Sequence, residues 1–168
     1  MTTDERIFNE LQSEGIPQIL ATIIVAQARH ETANYTSNVF KSCNNCFGYG
    51  YVGQNTARSC LPKPEGGTYA GYNSIEDSVR ELVLWIRRRQ AEGKFPKDLS
   101  AIVTPDQYAT LLKNSGYYGD SITNYANGLI YWLQQIGDTL STTKTAATAL
   151  VLILLALGLY HWRKRIFH

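Results

Sequence analysis

GIPQILATIIVAQARHETANYTS, residues 15–37, is the stretch on which the fold depends. Gly15 stops whatever precedes it, and Pro17 sits where a first helical residue tolerates a missing N–H. Ile16, Ile19, Leu20, Ile23 and Ile24 then recur at helical spacing, so a strong helix is expected from Pro17 to about Ala33. At about 100° per residue, Glu31 stacks below Leu20, Ile24 and Gln27 or Ala28, on the core-facing stripe. A carboxyl group there is half-buried. Desolvation disfavours its charged form, and the partial negative charge of a helix C-terminus acts in the same direction. A carboxylic acid that keeps its proton at the edge of a core suits general acid catalysis. The competing reading is an ordinary ion pair with Arg29, Arg58 or another cation.

Working outward, residues 4–14 are expected to form a short helix. Residues 41–72, rich in Gly, Asn, Tyr and Cys, lack helical periodicity and read as loops with a small hairpin turning at Glu65-Gly66-Gly67. Ser74 and Asp77 resemble a capping box, opening a helix with Ile75, Val79, Leu82, Val83 and Ile86 on one face and Gly93 at its end. Thr104-Pro105-Asp106 starts a third strong helix carrying Tyr108, Leu111 and Leu112. A fourth begins at Asp120 or Ser121 and turns Ile122, Tyr125, Leu129, Ile130, Leu133 and Ile136 inward. The expected class is mainly α, a single domain over residues 1–137 with a small loop and hairpin lobe.

The 168 residues sum to a net charge of +2, but the charge is uneven. Twelve of the sixteen basic residues and all fourteen acidic ones precede Lys144, so residues 1–143 carry −2 and the last twenty-five carry +4. A slightly acidic domain is a poor nucleic-acid binder, and no nucleic-acid partner is expected. After a polar linker at 138–145, residues 146–162 (AATALVLILLALGLYHW) hold no charged side chain. Seventeen such residues reach the lower end of the roughly 17–25 that cross a bilayer. Tyr160 and Trp162 suit an interface, and Arg163, Lys164 and Arg165 form a basic flank in the tail 163–168. The sequence therefore predicts a single-pass anchor in the lipid bilayer, with the tail on the cytoplasmic side and the domain opposite. MTTDERIFNE is too acidic and polar for a signal peptide, so a virus-particle membrane or export by a partner system is expected to account for that topology.

Local strings add a resemblance. Ala28-Arg29-His30-Glu31-Thr32 with Ser37 resembles the A-x-x-E-[ST]-x-x-x-x-S helix end of the bacterial and phage N-acetylglucosaminidases, lysozyme-like peptidoglycan hydrolases of glycoside hydrolase family 73. Asn44-Asn45-Cys46-Phe47-Gly48-Tyr49 resembles that family's N-N-L-F-G-[IM] loop. Tyr69-Ala70-Gly71-Tyr72-Asn73-Ser74 with Ser78 resembles its F-R-x-Y-x-S-x-x-x-S segment, and Ser115-Gly116-Tyr117-Tyr118 with Asn124-Tyr125-Ala126 resembles A-G-Y-A followed by x-Y-A. The four blocks keep the family order over residues 15–136.

The resemblance implies a lysozyme-like fold, hydrolysis of the bond after N-acetylglucosamine in peptidoglycan glycan strands, no cofactor, and Glu31 as the catalytic general acid. It implies a second carboxylate on the hairpin, for which Glu65 is the acid available; a solvated turn residue and a substrate-assisted mechanism are the alternatives. Tyr117 matches a family tyrosine. Phe47, Tyr49, Tyr51, Tyr69, Tyr72, Tyr117 and Tyr118 supply rings on which sugar faces can stack; Phe47, Tyr49, Tyr72 and Tyr117 are the substrate-binding candidates among them. Asn45 either orients its loop or binds an acetamido group. Cys46 departs from the family's leucine and creates Cys43-Asn44-Asn45-Cys46, with Cys60 further on. Zinc held by these cysteines and His30 lacks a second C-x-x-C, so no metal is expected. A disulfide from Cys60 to Cys43 or Cys46 fits a domain working outside the cytoplasm. Arg87-Arg88-Arg89 reads as a solvated helix end.

The function expected is thus a membrane-anchored peptidoglycan hydrolase acting in viral entry, lysis or envelope assembly, with envelope or virion proteins as further partners. A catalytically silent glycan binder or envelope scaffold is the alternative from another class, and a lytic transglycosylase a third reading.

Overall fold

The computed structural model describes residues 1–140. The expected linker lies mostly beyond them, and the expected anchor at 146–162 and basic tail at 163–168 lie wholly outside. Six α-helices and one two-stranded sheet are described: α1 (Thr3–Ser13), α2 (Gln18–Glu31), α3 (Asn38–Cys43), β1 (Arg58–Pro62), β2 (Thr68–Gly71), α4 (Ile75–Ala91), α5 (Pro105–Asn114) and α6 (Ile122–Leu140), with a 3₁₀ turn at Leu99–Ala101. The mainly helical class with a small hairpin is as the sequence predicts. Among the described residues no helix is long and apolar enough to cross a membrane.

The central element is α2. Nine consecutive residues, Leu20 to Ala28, are buried, so the helix is enclosed on all sides rather than along one stripe. It packs against α6, α1 and α5. A helix apolar all round belongs in the middle of a bundle, and the Ile-Ile-Val run at 23–25 meets that need. The apolar core it shares includes Ile7 and Leu11 of α1, Val79, Leu82 and Ile86 of α4, Leu112 of α5 and Leu129, Leu133 and Ile136 of α6. Where α6 passes α2, Gly128 lies against the His30 ring.

Helix α2 ends at Glu31, about two residues before the expected end. The cause is a run of three non-glycine residues in left-handed conformation: Ala33, Asn34 and Tyr35, with φ of 49°, 56° and 65°. Each such residue costs about 1–2 kcal/mol, so local bonds must hold the turn. Thr32 Oγ1 donates to Ala28 O at 2.6 Å and accepts from Tyr35 N at 2.9 Å. Tyr35 Oη donates to buried Asp4 Oδ1 at 2.6 Å, and Arg29 pairs with the same carboxylate. The N-terminal helix thereby clamps the end of α2.

Helix α3 begins before the region expected to be loop and runs into its first residues. Ser37 Oγ caps it by accepting from Phe40 N at 3.2 Å, but six residues are too few to show a period. Ser74 caps α4 through Asp77 N at 3.1 Å, without the reciprocal half of a capping box. The full boxes are Thr2 with Glu5 at α1 and Thr104 with Gln107 at α5. Helix α6 passes Gly137, where the sequence suggested an end, and continues to Leu140.

The hairpin pairs Arg58 with Gly71, Ser59 with Ala70 and Pro62 with Thr68, one register shift lying between Ser59 and Pro62. Its turn contains Glu65-Gly66-Gly67, as expected, with both glycines at positive φ. Cys43 and Cys60 form a disulfide that fastens β1 to the end of α3. Cys46 stays free and buried, and burial pushes its thiol up to about 12. The arginine cluster at the end of α4 is less free than its sequence suggested. Arg87 pairs with Glu14, Arg88 with Glu81 and Arg89 with Glu92, while Arg89 also lies 5.2 Å above the Trp85 ring.

Candidate active site

Glu31 is the last residue of α2 and borders two cavities, one of about 850 Å³ and one of about 330 Å³. Gly48 and Lys63 line both as well, so the two form one groove that crosses Glu31. Burial raises the pKa of Glu31, as the sequence predicts. The opposing influence is a hydrogen bond from Tyr125 Oη to Glu31 Oε1 at 2.6 Å, which favours the carboxylate. No ion pair forms at Glu31 among the described residues, and Arg29 goes to Asp4 instead. Tyr125 in turn is stacked on Tyr118 at 3.9 Å and meets the edge of His30 at 5.2 Å. The Tyr108 hydroxyl donates to Gln27 Oε1 at 2.7 Å one turn above Glu31. The carboxyl group thus has one hydroxyl partner in an aromatic surround, a setting that permits proton holding.

Asn45 is 1% exposed and its amide is used completely. Nδ2 donates to Tyr49 O and Ala70 O at 2.9 and 2.8 Å, and Oδ1 accepts from Phe47 N and Tyr49 N at 3.2 Å each. No donor remains for an acetamido group, so of its two expected roles the loop-orienting one has the geometry. The loop closes around it, Gly48 with φ +67° bringing the chain past Glu31 Oε2. From the other side Tyr117 Oη donates to Phe47 O at 2.7 Å.

Phe47, Tyr49 and Tyr117 line the larger cavity together with Trp85 and Tyr118. Tyr117 meets Tyr49 at 5.9 Å and Trp85 at 5.5 Å, both edge-on. Tyr72 lines neither cavity; it is 1% exposed and packs in the interior, which corrects its reading as a sugar-facing ring. Tyr69 lines the smaller cavity with Lys63 Nζ 5.5 Å above its ring.

Glu65 lines the smaller cavity with Glu31, so the structure brings both sequence-predicted carboxylates to one groove. Glu65 is exposed and paired with Lys63 Nζ at 2.8 Å, which holds its carboxyl below the usual range. The two acids therefore depart from ordinary behaviour in opposite directions.

Sequence reasoning missed Trp85, Lys63, Glu81 and Arg88 as groove residues, and Tyr125 as the partner of Glu31. Tyr125 stood on the inward stripe of α6, but periodicity reports only that a ring points inward, not where its hydroxyl ends. The others carry no local signal, because their place depends on how α4 and the hairpin dock.

The family model described as glucosaminidase, mannosyl-glycoprotein endo-beta-N-acetylglucosaminidase, matches residues 7–138. Those residues include all six helices in part or whole, the hairpin and the entire groove. No curated protein and no solved structure matches the chain.

Proposed function

The chain belongs to the glucosaminidase family and is a glycoside hydrolase of peptidoglycan, and from that premise we propose that it cleaves the bond after N-acetylglucosamine with Glu31 as general acid. The observation that carries this reading is the opposed state of two acids on one groove. Burial keeps Glu31 protonated to higher pH, while the Lys63 ammonium keeps Glu65 ionised to lower pH. Pairs of titratable groups pushed apart in this way mark acid and base. Glu31 gives its proton to the glycosidic oxygen as the bond breaks and positive charge builds on the sugar ring. Glu65 activates the water or faces that charge. The rings of Phe47, Tyr49, Tyr117 and Trp85 offer apolar walls for sugar faces.

The helical bundle with its hairpin lobe is consistent with a lysozyme-like fold for residues 1–137. Beyond α6 we propose a linker reaching to residue 145, a single membrane span at 146–162 and a basic tail at 163–168 facing the cytoplasm, as the sequence patterning supports. Such a protein acts on the wall from a membrane of the bacterial envelope or of a virus particle. The Cys43–Cys60 disulfide supports an oxidising compartment for the domain.

Digestion of purified peptidoglycan by the full chain, followed by product masses, tests the reading. Fragments with reducing-end N-acetylglucosamine are expected, with a rate loss of about 10²–10⁴-fold in Glu31→Gln. Undiminished cleavage by that variant would remove Glu31 from the chemistry. Anhydro-sugar products would make the enzyme a transglycosylase, and binding without cleavage would make it a scaffold. Protease protection of the domain in intact cells or particles tests the topology.

A further inference from the structure

The larger arm of the groove extends past the aromatic walls to a polar end that the hydrolytic reading does not use. Arg88 and Glu81 of α4 line it, with Gln54, Asn55 and Thr56 from the loop before β1. Glu81 is 6% exposed, a buried carboxylate. It accepts from Thr56 Oγ1 and, at 3.1 Å, from Arg88 Nη2. A guanidinium carries five N–H donors, and this single bond is the one Arg88 makes among the described residues. Its side chain is 54% exposed. Arg88 is therefore held by one corner on a buried acid while its remaining donors face the groove.

Two further features distinguish this end from an ordinary surface pair. The hydroxyl of Tyr49 is buried without a hydrogen-bond partner among the described residues, and that of Tyr72 lies beside Gln54. The Glu81 charge acts on both tyrosines, and Arg88 acts on Tyr49. The polar end belongs to the same cavity as the candidate acid.

We propose that Arg88 is the anchor of a carboxylate subsite, which takes an acidic substituent carried by a muramic acid residue lying in the larger arm. The inference rests on the glycan-hydrolase reading above. A planar guanidinium matches a carboxylate in two-point geometry. Peptidoglycan supplies carboxylates from two sources on the same sugar: the peptide stem, or the lactyl group once the stem is removed. A strand of N-acetylglucosamine alone supplies none. The subsite makes Arg88 a specificity determinant, separating wall glycan from neutral glycan of similar backbone.

The test measures binding by full-length Glu31→Gln, with and without Arg88→Gln or Arg88→Lys. The three probes are peptidoglycan strands with intact stems, the same strands stripped by an amidase, and neutral N-acetylglucosamine oligomers. Arg88→Gln is expected to weaken binding about tenfold on strands with the recognised carboxylate and less than about twofold on the neutral oligomer. Arg88→Lys, keeping the charge without the fork, should lie between. Loss confined to stem-bearing strands assigns the stem, and loss confined to stripped strands assigns the lactyl group. No loss on either, or equal loss on all three probes, overturns the subsite and leaves the hydrolase reading intact. Failure of the wild-type chain to cleave and of Glu31→Gln to bind any probe overturns both.

Discussion

Tyr125→Phe removes one hydroxyl and leaves its ring in place against Tyr118 and His30. The lost bond is the 2.6 Å contact to Glu31 Oε1. A hydrogen bond to a charged acceptor contributes about 1.5–3 kcal/mol, and one between neutral groups about 0.5–1.5 kcal/mol. The hydroxyl therefore favours the ionised carboxyl over the protonated one by about 1–1.5 kcal/mol, and one pKa unit corresponds to about 1.36 kcal/mol. Burial already raises Glu31 and Tyr125 opposes it, so removing the hydroxyl should move the basic limb of kcat/KM upward by about one pH unit.

Stability follows with a definite sign. A carboxyl whose folded pKa is raised gives its full contribution below the unfolded carboxylate range, and loses it as pH rises through the folded pKa. The Phe variant should fall below the parent by about 0.5–1.5 kcal/mol near pH 4 and by about 1.5–3 kcal/mol near pH 8. Rates on purified peptidoglycan across that range, with urea melts at both ends, provide the measurement. A basic limb that stays put or moves down, or an equal stability loss at both pH values, refutes the contact as described.

Four further outcomes are expected. Reducing Cys43–Cys60, a link across 17 positions, should cost about 3 kcal/mol, read by unfolding with and without reductant; in the native oxidised protein Cys46 should resist alkylation, and rapid labelling would contradict its burial. Asp4→Asn leaves Arg29 without its buried partner and should cost about 3–5 kcal/mol in urea unfolding, whereas a loss under about 1 kcal/mol would mean the pair is solvated. Gly128→Ala puts a methyl group 2.5 Å from His30 Cε1, which should destabilise by about 1–3 kcal/mol; pairing it with His30→Ala should recover most of the loss, and no recovery would place the clash elsewhere.

The helices were legible because each announces itself twice, by an apolar period and by a cap or breaker. Ile75 to Ile86 on α4 follow Ser74, and Tyr108 and Leu112 on α5 follow Thr104-Pro105. Glu31 was legible because an acid stood where periodicity demanded an apolar side chain. The end of α2 was not, since the left-handed turn of Ala33, Asn34 and Tyr35 is held in part by Asp4, distant in sequence, through the Tyr35 hydroxyl. Tyr72 misled for a related reason: an aromatic beside a glycine-rich loop reads equally as wall or as core, and only the docking of β2 decides. The same dependence hid Arg88, whose sequence neighbours are two other arginines and whose structural neighbour is Glu81.

The disulfide has one more consequence. Cys43 and Cys60 close a covalent ring around the loop that passes Glu31, and the ring includes exposed Val52 and Arg58. Exposed loop tips are where proteases nick first. A single cut beside Val52 would sever the backbone but release nothing, because both pieces remain joined through sulfur. The nicked protein should migrate as one species without reductant and as two with it. An enzyme working among extracellular proteases would thus carry its cleft wall as a loop that one cut cannot detach.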